Sequence, residues 1–190
     1  RVTLVVDSYA LGPIQTNCYV VRASREATEA AVIDPGGDAA DLRLELARSG
    51  ASCGAILITH GHFDHVGGVA DLAEGTGAPV YMPEGERDRL ERYADFAPAG
   101  MPGRSYAPDH LLEGGETIEV AGLTFECVAI PGHSPAHVGF YADGQGRRNL
   151  RLAYSLPEPD RVREGVRRLA SVLAEELEIV APFGGGSAVR

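Results

Sequence analysis

The sequence contains no lysine and no tryptophan, and only three of its 190 residues are cysteine. An enzyme that forms a Schiff base through a lysine is therefore excluded. The cysteines, at positions 18, 53 and 127, lie too far apart in the sequence for a disulfide framework or a close thiolate metal cluster. Each stands beside apolar residues, which predicts small, buried, reduced side chains and favours a reducing cytoplasm.

Long apolar runs and an excess of positive charge are also missing. No apolar run reaches the roughly 18 residues of a membrane span, and the first residues lack the apolar stretch of a signal peptide. We therefore expect a cytoplasmic protein without a membrane partner. The 27 acidic residues outnumber the 17 basic ones, giving a formal net charge of −10, which argues against a nucleic-acid partner.

The size and composition are typical of one globular domain. A chain of 190 residues with 44% hydrophobic and 23% charged residues can build one compact core. Apolar runs between glycines and prolines predict strands at 4–6, 18–21, 31–33, 55–58, 79–82, 118–120, 123–130 and 138–141, helices at 38–48, 65–74 and 84–96, a loop at 97–108, and a tail with a strand at 150–154, a helix at 158–176 and a strand at 179–181. This mixture favours two sheets, or one large mixed sheet, covered by helices.

Three of the six histidines fall within six residues, in the segment THGHFDH at 59–65, directly after a predicted buried strand. His60 and His62 are two residues apart in extended chain, so their rings project to the same side. Gly61 lets the backbone pass close to whatever they bind. Asp64 and His65 follow where the chain turns into a helix, and they can approach the same point from another side. This density of imidazole and carboxylate predicts a metal site.

Imidazole nitrogens with a carboxylate suit zinc, iron or manganese rather than calcium. A catalytic zinc site of the usual kind needs a third protein ligand in addition to His60 and His62. His133 is the best candidate, because it also follows a predicted strand in a tight turn. For His110, in a polar loop, and for His137, the sequence favours a place on the surface or beside the ligands over direct ligation.

These motifs resemble those of the metallo-β-lactamase superfamily. THGHFDHVGG at 59–68 is similar to its metal-binding signature, and PGHS at 131–134 is similar to its second metal motif. NCY at 17–19 and VIDPG at 32–36 resemble the opening strands of the glyoxalase II-like branch. The resemblance covers roughly residues 1–143. It implies an α/β fold, an αββα sandwich with the metal site at the edge between its two sheets.

The resemblance also implies a role for each matching residue. His60, His62 and His133 would hold a first metal ion, and Asp64 and His65 would belong to a second. Three neutral imidazoles around Zn²⁺ leave a position open for water and lower the pKa of that water towards 7. Asp64 is the candidate catalytic residue, because it can orient this water or accept its proton.

The rest of the family's metal pattern is absent from the sequence. The superfamily completes its metal pair with a bridging aspartate and a histidine near the C-terminus. Residues 149–155 contain no carboxylate, and 182–186 have glycine where the histidine is expected. The basic residues with which relatives bind a glutathione carboxylate are not recognisable either. We therefore expect one tightly bound metal ion, zinc with iron or manganese as alternatives, and activity well below that of a two-metal relative or none detectable.

The tail differs from the rest of the chain in its charge and in the protein family that it resembles. Residues 1–143 carry nine arginines against 21 acidic residues, whereas 144–190 carry eight against six. The stretch at 140–170 resembles the C-terminal segment of fold-type I PLP aminotransferases, in which an arginine at the position of Arg151 binds the substrate carboxylate. The tail can be explained either by native divergence or by a chimeric junction, and the sequence does not decide between them. We expect a metal-binding domain at 1–143 and a divergent segment at 144–190 that packs onto it.

Three functional hypotheses follow. The leading one is metal-dependent hydrolysis of a thioester or similar acyl bond in a small-molecule substrate, as in glyoxalase II-like enzymes. The second is a mononuclear iron enzyme resembling the persulfide dioxygenases of the same superfamily, which also use the bridging aspartate. The third is a degenerate chain that binds metal without turnover. The identity of the substrate and the oligomeric state stay open.

Overall fold

The computed structural model describes residues 4–142 and, beyond them, Arg167 alone. The described elements are β1 (Val5–Leu11), β2 (Thr16–Arg22), β3 (Glu29–Ile33), α1 (Ala39–Arg48), β4 (Ser52–Leu57), α2 (Phe63–Val66), α3 (Val69–Thr76), β5 (Val80–Pro83), a 3-10 turn (Glu84–Glu86), α4 (Arg87–Glu91), α5 (Tyr93–Phe96), β6 (His110–Leu112), β7 (Thr117–Val120), β8 (Leu123–Ala129) and β9 (Val138–Ala142). The strands and helix predicted after residue 149, and the expected segment at 144–190, lie outside the described residues.

The larger sheet has six strands in the order β1-β2-β3-β4-β5-β6. β1, β2 and β3 pair antiparallel, whereas β3, β4, β5 and β6 are parallel. The predicted strands at the positions of β1 to β5 are confirmed, although β1 extends well past its predicted end. The prediction of a polar loop around His110 was wrong, because this residue pairs with Tyr81 at the start of β6. A strand of three residues is too short to show an alternating pattern.

The smaller sheet consists of the antiparallel strands β7, β8 and β9. All three strands lie at their predicted positions. The predicted hairpin turn at Ala121 and Gly122 is confirmed, since both residues have positive φ, 53° and 68°. Positive φ at both central residues is what a two-residue hairpin turn of type I′ requires.

The two sheets pack face to face, and helices cover the other face of the larger sheet. In β4, Ala55 and Leu57 point towards Phe125 of the smaller sheet, whereas Ile56 shares the opposite core with Leu42 of α1. This follows from the alternation of side chains along a strand that is buried on both faces. The helices, the larger sheet and the smaller sheet form three successive layers of the expected αββα sandwich.

The first predicted helix is confirmed, whereas the next two are each broken into shorter pieces. The helix predicted at 65–74 is interrupted between α2 and α3, where a Cβ on Gly68 would lie 2.7 Å from Pro35 O. The helix predicted at 84–96 begins as a 3-10 turn and breaks at Arg92, which has φ −122° and ψ 44°. Among the described helices, none has the length and apolar character needed to cross a membrane.

The carboxyl ends of the parallel strands bring polar residues to one edge of the larger sheet. Asp34 directly follows β3, His60 follows β4, and Glu86 lies in the turn after β5. The loop between β8 and β9 reaches the same edge, because Val138 N donates to Thr59 O at 3.0 Å. Residues that are distant in the sequence therefore meet at this edge, as they commonly do in sheets with parallel strands.

Candidate metal centre

His60 lies three residues beyond the end of β4 and is 2% exposed. Its Nδ1 lies 3.0 Å from Thr59 Oγ1, which in turn donates to Asp34 Oδ2 at 2.6 Å. Because the Thr59 hydroxyl gives its only proton to Asp34, we assign the ring proton to His60 Nδ1. The opposite nitrogen, Nε2, then carries a lone pair that can bind a metal ion.

Three imidazoles meet in front of this nitrogen. His60 Nε2 lies 3.1 Å from His62 Nδ1, close to the separation of about 3.3 Å that two nitrogens have at tetrahedral positions around zinc. The ring centroid of His133 lies 4.8 Å from that of His60 and 4.7 Å from that of His62. One ligand atom from each of the three residues lies within 4.8 Å of the others. The structure therefore brings one nitrogen of each residue close enough to the others that the three could share a metal ion.

Asp64 and His65 lie side by side at the start of α2. His65 Nε2 is 3.5 Å from Asp64 Oδ2, and the His65 ring centroid is 4.2 Å from that of His60. Thr16 Oγ1 donates to Asp64 Oδ2 at 2.8 Å. Two groups of described residues have ligand atoms close enough to share a metal, His60–His62–His133 and Asp34–His60–His65, and Asp64 belongs to neither of them.

Asp34 is a residue of this site that the sequence analysis did not identify. It is 4% exposed, and it accepts hydrogen bonds from Thr59 N at 2.8 Å and from Thr59 Oγ1. Its Oδ2 also lies 2.9 Å from His65 Nδ1. Because both carboxylate oxygens already have partners, we interpret Asp34 as the group that orients His60 and His65, and not as a ligand. Its position directly after a buried strand was the available sequence signal.

The two remaining histidines have different surroundings. His137 is half-buried beside the site, with its ring centroid 4.5 Å from that of His60 and 5.8 Å from that of His133. It belongs to neither of the two groups of described residues that could share a metal. His110 is exposed on β6 and stacks on Tyr81, with ring centroids 4.4 Å apart.

Burial and the neighbouring imidazoles lower the pKa of three histidines in this cluster, His60, His62 and His137. Burial lowers the pKa of His60 to about 2, and the other imidazoles, His65 foremost, lower it further. Burial also lowers the pKa of His62 and of His137, and in both cases His133 adds to the effect. Imidazole binds a metal ion in its neutral form, so the lowered pKa values of His60 and His62 favour the form that binds. The donor set fits Zn²⁺, and also iron or manganese.

An open recess beside Asp64 offers space next to this cluster. Its lining is mainly apolar and includes Leu11, Ile14, Phe63, Tyr93, Met101 and Pro102. Of the described residues that line it, Asp64 is the only one with a charged side chain. The recess is small, and the described residues that line it provide no cation for an anionic group.

Comparison with known proteins identifies relatives in sequence and in structure. The family model of the Metallo-beta-lactamase superfamily matches residues 11–147. A hydroxyacylglutathione hydrolase of Pseudomonas entomophila is 40% identical over 111 residues, which are 58% of this chain and 36% of that protein. The chain spans 36–62% of the length of the curated relatives that it matches.

Two solved structures extend this comparison. The structure of the BLEG-1 B3 metallo-beta-lactamase has a TM-score of 0.66 at 38% identity, covering 73% of this chain and 67% of that one. The structure of TTHA1623 in a di-iron-bound form has a TM-score of 0.58 at 31% identity, covering 87% of this chain and 86% of that one. The predicted fold class, the metallo-β-lactamase sandwich, is confirmed by these matches.

Proposed function

The chain belongs to the metallo-beta-lactamase superfamily, and from this premise we propose that it is a metal-dependent hydrolase that cleaves a thioester or similar acyl bond in a small-molecule substrate. The observation that carries the proposal is the meeting of His60, His62 and His133 around one point. The thioester class is supported by the similarity to a protein named hydroxyacylglutathione hydrolase.

We propose that His60 Nε2, His62 Nδ1 and His133 hold the metal ion. When bound in such a set, Zn²⁺ leaves one position for water and lowers its pKa towards 7. Thr59 and Asp34 keep the His60 ring in the required orientation and tautomer through the hydrogen bonds at 3.0 and 2.6 Å. His62 and His133 complete the set from two different loops.

Asp64 is the proposed proton acceptor. Its Oδ2 is held by Thr16 Oγ1 at 2.8 Å and faces His65 Nε2 at 3.5 Å. Within residues 4–142, Oδ1 has no hydrogen-bond partner, so this oxygen is available to take up a proton released at the site. The carboxylate also lines the small apolar recess beside the histidine cluster.

We expect protein purified without added metal to contain about one equivalent of tightly bound metal per chain, with zinc ahead of iron and manganese. The three-imidazole set is complete, whereas a second ion would lack the bridging carboxylate and the C-terminal histidine of the family. Elemental analysis after desalting measures this directly. Two equivalents would show that further ligands exist, and a protein without metal would remove the basis of the proposed hydrolysis.

The metal-loaded protein is expected to release thiol from a hydroxyacylglutathione thioester and from a simple acyl thioester with comparable KM values. The physical reason is that, among the residues that the structure describes, those lining the recess beside Asp64 include no cation for the glutathione carboxylates. A thiol-specific reagent follows the reaction, and protein stripped with a chelator and the His62→Ala variant serve as controls. Failure of the zinc-, iron- and manganese-loaded forms to release thiol from either compound would contradict the proposal.

The metal-loaded protein also distinguishes the hydrolase from the two alternative functions, a dioxygenase and a metal-binding module. Oxygen uptake by the iron-loaded protein in the presence of glutathione persulfide would favour a dioxygenase. We include this test because the chain is similar to a structure in a di-iron-bound form. A protein that retains its metal and catalyses neither reaction would be a metal-binding module.

A further inference from the structure

Glu86 is a buried carboxylate that the proposed chemistry does not use. It lies in the 3-10 turn after β5 and is 1% exposed. Its Oε2 accepts from Gly61 N at 3.3 Å and forms an ion pair with Arg89, whose Nε lies 3.1 Å away. Its Oε1 accepts from Ala136 N at 3.2 Å and from the Ser134 hydroxyl. Burying a carboxylate is costly, and these three hydrogen bonds and the ion pair offset that cost.

The partners of Glu86 belong to the two loops that carry the three imidazoles. Gly61 lies between His60 and His62, and Ser134 directly follows His133. Each carboxylate oxygen therefore holds one loop: Oε2 holds the loop of the first two histidines, and Oε1 holds the loop of the third. Among the described residues, Glu86 is the side chain that bonds to both loops at once.

Close packing supports this connection. A Cβ on Gly61 would lie 2.7 Å from Arg89 Cβ, and a Cβ on Gly85 would lie 2.7 Å from Ala136 Cβ. The segment after β5 thus fits tightly against both loops. Ser134 is itself only 1% exposed, so its hydroxyl is shielded from water that could replace Glu86.

We propose that Glu86 is a positioning residue that sets the separation between His133 and the His60–His62 pair, and thereby the affinity of the site for its metal ion. Glu86 does not contact the metal; it acts through the backbone N–H groups of Gly61 and Ala136 and through Ser134. This inference rests on the proposed function only in assuming that these three imidazoles bind the metal.

The arrangement requires a carboxylate and not an amide. A glutamine at this position would accept hydrogen bonds through its amide oxygen and donate them through its NH₂ group. Gly61 N–H and Arg89 can only donate, whereas the Ser134 hydroxyl can also accept. The amide oxygen of a Glu86→Gln variant would therefore face Gly61, and its NH₂ group would face Ser134 and oppose the Ala136 N–H. The loop of His133 would lose the bond from Ala136 N–H and keep at most the one to the Ser134 hydroxyl.

In the full chain, Glu86→Gln is expected to raise the Zn²⁺ dissociation constant about 10–100-fold in chelator competition. The absorption bands of Co²⁺ bound in place of zinc should shift, because the geometry of the three imidazoles changes. The matched control is Glu91→Gln, since Glu91 lies on α4 and pairs with Arg87 at 2.7 Å, away from both loops. Ser134→Ala removes one hydrogen bond only and should weaken binding less, in the same direction.

The readouts separate positioning from a merely structural role. A structural role would lower the unfolding midpoint of the metal-free protein and leave the Zn²⁺ affinity and Co²⁺ bands of the folded protein unchanged, and this result would overturn the inference. If Glu86→Gln does not fold, Ser134→Ala decides by the same two measurements. Failure of the unaltered chain to bind Zn²⁺ or Co²⁺ would overturn the proposed function together with the inference, whereas metal binding unaffected by either variant would overturn the inference alone.

Discussion

Replacing His60 with alanine is expected to abolish metal retention and all hydrolysis that depends on it. His60 belongs to both groups of described residues that could hold a metal ion. Neither group is complete without it, so neither can replace the site that is lost. Removal of a group that only supports a ligand weakens metal binding by about 10–100-fold, and loss of the ligand itself should exceed the upper end of that range. Elemental analysis of the desalted variant, beside the unaltered protein, measures the effect.

Two histidine variants serve as matched controls for this prediction. His110→Ala removes an exposed ring that stacks on Tyr81, and it should leave the metal content unchanged. His137→Ala removes a ring 4.5 Å from that of His60 that lies in neither group, and it should also retain the metal. Loss of metal in His137→Ala with retention in His60→Ala would show that the ligand set is wrong. Far-ultraviolet circular dichroism checks that each variant is folded.

The parts of the fold that the sequence predicts are those with a strong local signal. The run at 55–58 is apolar on both faces because β4 is buried between helices and the second sheet. The hairpin of β7 and β8 is marked by a residue pair that accepts positive φ, Ala121 and Gly122. The break between α2 and α3 carries no such signal, because it arises where Gly68 meets the backbone of Pro35, which belongs to a distant turn.

The residues of the candidate site also differ in how clearly the sequence marks them. The cluster at 60–65 is visible in the sequence because its ligand-type residues are neighbours. Asp34 and Glu86 are not visible, because acidic residues in turns after strands are common, and only the parallel order of β3, β4 and β5 brings these two close to the first histidine loop. His133 is intermediate: its strand-end position suggested it, but its approach to His62 depends on how the two sheets pack.

Replacing Gly36 with alanine is expected to destabilise the protein by about 3 kcal/mol or more, beyond the usual cost of overpacking. A Cβ at this position would lie 1.7 Å from Asp64 O and 2.8 Å from Asp64 C, which are backbone atoms of α2. Backbone cannot rotate away as the end of a side chain can, so α2 must move, and Asp64 and His65 must move with it. Urea unfolding of the metal-free variant measures the loss of stability.

The comparison with Gly54→Ala tests whether the close approach, and not the added methyl group, is responsible. A Cβ on Gly54 would lie 3.4 Å from Ala121 Cβ and 3.5 Å from Glu29 Cβ, which is ordinary contact. Gly54 lies in β4, away from the histidines, so this variant should keep both its stability and its metal content. Gly36→Ala should instead lose metal affinity even where it remains folded, because α2 begins directly after His62, and a displacement of α2 would move this proposed ligand. Equal stability of the two variants would contradict the packing of the turn after β3 against α2, and with it the physical link between the fold and the position of Asp64.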